Sequence, residues 1–198
     1  PVEYALQQVR LTPVGNGQQT VLSWSVDVEG GREQLNYRDQ YGNYTSLVGL
    51  DADAQSVTLT AQGEVETLDA NGILGHAYGH APLWHFVQST PLTQPGWEIR
   101  KLSRSFDSND QLASLHTLSQ QIIEAVPYRA GRTYSATSAE EALNGGFGVC
   151  QDHAQIFIAA VRAAGVPARY ISGYLMMNDR IDQDASHAWA EAHVEGLG

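Results

Sequence analysis

Long apolar runs are missing from this 198-residue sequence. None approaches the roughly 18 residues that a membrane span needs, so a bilayer role is not expected. The N-terminus lacks a basic stretch followed by an apolar core, so no signal peptide is visible and a cytoplasmic location is expected. A leader could already have been trimmed, since Pro1 is not a natural start. Cysteine is nearly absent. With Cys150 alone, no internal disulfide can form, and a lone cysteine is either a core filler or a nucleophile candidate. Positive charge is scarce too, 11 Lys and Arg against 22 Asp and Glu, for a net charge of −11. Such a surface repels phosphate backbones, which makes nucleic acid a poor partner. Hydrophobic residues at 42% and charged residues at 17% are a globular composition, enough for one large or two small domains.

The first part of the chain has the period of strands. Leu22, Trp24, Val26 and Val28 alternate onto one face before Gly30-Gly31 breaks the run. Tyr41-Gly42-Asn43-Tyr44 is a turn. Ser56 to Ala61 alternates again, and Val65 to Thr67 continues after Gly63. Short strands between Gly and Asn turns predict a small antiparallel sandwich over residues 1–100, with nothing chemical in it. Residues 71–106 are irregular and Gly/Pro-rich and are read as a connector. It is expected to pack rather than wave, because Trp84, Phe86 and Trp97 are costly to leave wet.

A helical pattern takes over near residue 108. Leu112, Leu115, Ser119, Ile122 and Val126 form a stripe, widened by Leu118 and Ile123 and ended by Pro127. Ser138 and Glu141 have the spacing of a capping box for a short helix that stops at Asn144-Gly145-Gly146. A third helix is expected from Cys150 to Ala164. It is apolar nearly all round between Ile156 and Val161, with Gly165 and Pro167 closing it. Arg169 to Leu175 follows as a strand, and a polar loop leads to a last strand, His187 to Val194. There Ala188, Ala190, Ala192 and Val194 face one way, and His187, Trp189, Glu191 and His193 the other.

Cys150 falls in the first turn of its helix, after Gly145-Gly146-Phe147-Gly148. Unpaired N–H groups and the positive end of the helix dipole stabilise a thiolate there, and the thiolate is the attacking species. The glycines admit a substrate backbone, and the Cys150 N–H could serve an oxyanion. Asn144 and Tyr128 are further candidates for that contact. His187, at the open end of the last strand, is the candidate base. A third group to orient the imidazole is not obvious. Asp184 is too close along the chain, and Glu191 is about 13 Å along the strand. The orienting acid is therefore expected beyond Gly198, in a chain that looks cut short. Asp152 is expected at the solvent or paired with Arg169.

Zinc is the chemical rival, because Cys150 and His153 have C-x-x-H spacing. His187 and His193, however, are about 20 Å apart along an extended strand, too far for one ion. His76, His80 and His85 have no recognised metal spacing and are expected at the surface. No metal and no cofactor is called for. The non-enzymatic alternative is an inactive interaction module on the same fold.

Four blocks stand in order: Gly148-Val149-Cys150-Gln151-Asp152-His153-Ala154, then Gly165 to Tyr170, then Ser172-Gly173-Tyr174, then Ser186-His187-Ala188-Trp189-Ala190-Glu191. They resemble the core of the bacterial transglutaminase-like superfamily, over about residues 105–198. Leu22-Ser23-Trp24, Tyr37-Arg38-Asp39, Tyr41-Gly42-Asn43 and Gly63 to Thr67 more loosely resemble the β-rich region that precedes such cores. The resemblance implies an α+β fold with a papain-like core over 101–198, incomplete at its C-terminus. It also implies a Cys–His–Asp triad with Cys150 as nucleophile and His187 as base. The triad Asp would follow the His strand, and an aromatic residue usually stands where His153 is. Activity would be acyl transfer or hydrolysis at amide bonds of peptides or proteins, through a thioester.

Overall fold

The computed structural model describes residues 5–75, 80–178, 181 and 186–198. It divides into two compact units, Pro1–Ala81 with Leu197–Gly198, and Pro82–Gly196. The division lies earlier than the expected boundary after residue 100. The reason is that the supposed connector contains structure of the second unit.

The first unit is built of antiparallel sheets. Strands β1 (Leu6–Thr12), β3 (Gly31–Arg38) and β4 (Tyr44–Leu50) form one, in the order β1-β4-β3. Strands β2 (Gln19–Glu29) and β5 (Thr58–Thr67) form the other. The alternation expected in β2 holds for Trp24, Val26 and Val28, which are half-buried, but fails at Leu22, which is 56% exposed. The pairing of β2 with β5 slips between Val21 and Ser23, and that irregularity takes Leu22 off the face. Gly63 does not interrupt β5. A Cβ there would stand 2.2 Å from the Ser23 carbonyl oxygen and 2.6 Å from the Trp24 ring, so glycine is what lets Trp24 lie across the strand. The 41–44 turn is present and is organised by Asp39. Its buried carboxylate accepts from the backbone amides of Tyr41 and Asn43, from Asn43 Nδ2 and from Arg10 Nε.

In the second unit, two 3₁₀ turns (Leu83–Val87 and Pro91–Thr93) lead into helix α1 (Trp97–Ser103). Then come α2 (Gln111–Ala125), α3 (Ala139–Gly145), α4 (Cys150–Ala163), and an antiparallel pair, β6 (Ala168–Gly173) and β7 (His187–Ala192). Helix α4 is central. It packs against α1, α2, α3, β6 and β7, which is why Ile156, Ile158, Ala159, Ala160 and Val161 are all buried. The alanine face of β7 lies on this core, as expected. The α2 stripe is Leu115, Leu118, Ile122 and Val126, whereas Leu112 and Ile123 sit at its margins, 44% and 56% exposed.

Trp84 and Trp97 are not buried. They are 67% and 66% exposed, and only Phe86 is half-buried. The segment is anchored by polar contacts instead. Glu140 of α3 accepts from the amides of Gly96, Glu98 and Ile99, supplying the cap that α1 lacks locally. Arg162 of α4 donates to the carbonyls of Gln88 and Ala168.

Candidate active site

Cys150 is the first residue of α4, half-exposed, on a helix whose remaining length is locked in the core. The turn that delivers it is shaped by two glycines. Gly146 closes α3 in the left-handed region, at φ 66°. Gly148 is buried, and a Cβ on it would fall 2.7 Å from Asp152 Cβ and 3.0 Å from Asp152 Oδ2. Glycine at 148 is thus what allows Asp152 to fold back over the turn.

Asp152 is 4% exposed and meets neither solvent nor Arg169, contrary to expectation. Its Oδ2 accepts from the Val149 amide at 2.7 Å and from Thr133 Oγ1 at 2.6 Å. Val149, the N-cap residue, has no polar side chain, so the helix start is capped from inside by its third residue alone. Arg169 pairs with Glu191 across β6 and β7 at 2.7 Å. His153 Nε2 lies 2.7 Å from the Val126 carbonyl oxygen at the end of α2. A carbonyl only accepts, so this ring nitrogen carries the proton, and His153 fastens α2 to α4.

His187 opens β7, opposite Gly173 of β6. Its ring meets that of Trp189 edge to face, with centroids 4.6 Å apart. The Cys150 thiol donates to Gln151 Oε1 at 3.6 Å. Helix α4 and strand β7 thus pack together, but the hydrogen bonds found at Cys150 and the ring contact found at His187 go to their own chain neighbours. The segment before α3 lies against the turn that leads into Cys150. The amide of Arg129 donates to the Gly148 carbonyl at 2.8 Å, and the Gly148 amide donates to the Pro127 carbonyl at 3.3 Å. Tyr128 therefore sits beside the turn through its backbone, with its side chain 65% exposed. Asn144 Nδ2 is directed to Glu140 Oε1 at 3.4 Å, toward the start of α1. Asp184 and His76 lie outside the described residues.

Two neighbours of the site were missed in the sequence. One is Thr133; its signal was the acidic residue at the third helical position, which needs donors. The other is Tyr170, which pairs with Ala190 on the same face of β6 as Ala168 and is itself 36% exposed. Partial burial first, and then electrostatic interaction with Cys150 and Asp152, hold its phenol above the ordinary value. A surface depression of about 300 Å³ lies elsewhere, lined by Gly165, Pro167 and His193 past the far end of α4.

The sequence profile of the transglutaminase-like superfamily matches residues 100–198. The chain belongs to the transglutaminase-like superfamily. The profile of the bacterial transglutaminase-like N-terminal region matches residues 1–66, so the looser likeness of the β-rich half is also genuine. An uncharacterised protein of Mycobacterium leprae is 26% identical over 215 residues, which take in 99% of this chain and 75% of that protein. One of Mycobacterium tuberculosis is 29% identical over 206 residues, with 91% and 65% covered. This chain thus spans about two thirds to three quarters of these relatives. Among solved structures, a protein of Cytophaga hutchinsonii provisionally named a cysteine protease superposes with a TM-score of 0.75 at 21% identity, over 98% of this chain and 69% of that one. That likeness establishes the fold alone, an α+β chain with N-terminal sheets and a transglutaminase-like core. No helix among the described residues is long and apolar enough to cross a membrane.

Proposed function

We propose that this chain performs thiol-dependent acyl transfer or hydrolysis at amide bonds of peptides or proteins, with Cys150 as nucleophile and His187 as general base. The observation that carries the reading is the position of Cys150: a half-exposed thiol at the first residue of a 14-residue helix. There the free N–H groups and the dipole favour negative charge on sulfur and on a nearby oxygen. His187 takes the thiol proton, and the sulfur attacks the amide carbon. The carbonyl electron pair moves onto oxygen, facing the first-turn amides. As the tetrahedral intermediate collapses, the C–N bond breaks and His187 returns the proton to the departing nitrogen. The thioester that remains is resolved by water, or by an amine in a transferase. Unliganded sites of this type are often looser than the reacting complex.

Alkylation of Cys150 by iodoacetamide tests this without a known substrate. An ordinary thiol, with a pKa near 8.5, has under about 1% thiolate at pH 6. The paired thiol should react at least about tenfold faster than free cysteine at that pH, and His187→Ala should abolish the advantage. With substrates, casein plus a dansylated amine reads transfer, and ammonia or new amino termini read hydrolysis. The second reading, an inactive interaction module, draws on the Gln151 and Trp189 contacts. It requires ordinary thiol reactivity that His187→Ala leaves unchanged.

A further inference from the structure

A charged group buried in the first turn of the nucleophile helix has no place in the chemistry above. We propose that Asp152 is a positioning residue for Cys150, using one carboxylate oxygen to hold the Val149 amide and the Thr133 hydroxyl and so fix the turn that aims the thiol. The inference rests on the proposed role of Cys150.

Burial and hydrogen bonding carry it. At 4% exposure, an ionised carboxylate needs partners, and Oδ2 has two short ones, at 2.6 and 2.7 Å. One partner is the backbone immediately before Cys150. The other belongs to a separate stretch, residues 127–134, already joined to the turn by the bonds between Gly148, Pro127 and Arg129. Asp152 thus ties the nucleophile turn to the wall beside it. Glycine at 148 is the steric condition of this arrangement, because any Cβ there would strike Asp152. Val149 offers no cap of its own, so nothing else in the helix start holds that amide.

Both hydrogen bonds end on the same oxygen, which separates position from charge. Asp152→Asn can keep an accepting oxygen in place while removing the charge. Asp152→Ala removes both. Thr133→Val removes one bond and leaves the carboxylate. The readout is the rate of Cys150 alkylation by iodoacetamide from pH 5 to 9, on protein shown folded by near-ultraviolet circular dichroism. Asp152→Ala and Thr133→Val should each lose about tenfold or more of the rate at pH 6, the scale of effect that small misplacements of a reacting group produce, while Asp152→Asn stays within about threefold of wild type. A purely structural Asp152 would lower the melting temperature of all three and leave the pH profile of the folded protein unchanged, which would overturn the proposal. Should Asp152→Ala not fold, a wild-type profile in Thr133→Val overturns it equally. His187→Ala is measured alongside. If it changes nothing, the reading of Cys150 as an activated nucleophile fails and this inference falls with it. If it slows the wild-type thiol while Asp152→Ala and Thr133→Val do not, the positioning role alone is rejected.

Discussion

A single missing methyl group explains much of the turn before Cys150. At Gly148 the backbone passes so close to Asp152 that alanine would overlap it. Gly148→Ala should cost about 1–3 kcal/mol, the usual range for overpacking, and should displace the carboxylate. Its signature would be a lower melting temperature together with slower alkylation of Cys150. Thr45 is the opposite case. It is completely buried in β4, and its hydroxyl has no hydrogen-bond partner. Valine has nearly the same shape without the unpaired oxygen. Thr45→Val should therefore be neutral or gain up to about 1 kcal/mol in urea unfolding. A clear loss would mean that the hydroxyl is satisfied in solution.

Single elements here are held by side chains from distant elements. Helix α1 has seven residues and follows Gly96, so it has no side-chain cap of its own. Its first amides are bound by Glu140 from α3, more than forty residues later. Glu140→Ala should destabilise the second unit by about 2 kcal/mol, in the range for hydrogen bonds to a charged acceptor. Glu140→Gln should lose less, because one carbonyl oxygen remains. Thermal unfolding of the two variants side by side is the check. An equal loss in both would show that the charge, acting on the helix start, matters more than the individual bonds. Helix α3, by contrast, carries its own capping box. Ser138 Oγ accepts from the Glu141 amide, and Glu141 accepts from the Ser138 amide, which holds the glutamate carboxyl below its ordinary range.

Across the whole molecule, the two units rest on different chemistry, and acid should expose this. In the first unit, burial would raise the Asp39 carboxyl. The Arg10 guanidinium, the Asn43 side chain and the Asn43 and Tyr41 amides outweigh it and lower the pKa to about 2. A carboxyl with a depressed folded value contributes stability in full above its unfolded value, ordinarily 3.8, and loses it as pH falls toward about 2. The β-rich unit should therefore weaken between about pH 4 and pH 2, and Asp39→Asn should flatten that part of the profile. Urea midpoints at pH 6 and pH 3, followed in the β-sheet circular dichroism, test this. The second unit has a continuous apolar core around α4, and its buried Asp152 is held by two donors rather than by an ion pair.

Local pattern was enough to find α3 and α4, the turn at 41–44, the alanine face of β7 and the sulfur at a helix start. Each follows from periodicity or capping within a few residues of chain. The family followed from four short blocks in order, over the part matched by the superfamily profile. Contacts between distant segments were not legible in this way. The slip that exposes Leu22 depends on its pairing with β5, and the exposure of Trp84 and Trp97 depends on what surrounds them. The burial of Asp152 depends on Thr133, which stands 19 residues earlier. Hydrophobic period records which face a segment turns inward. It carries no information about which partner a buried polar group will meet, because that is set by chain separated in sequence and joined only in space.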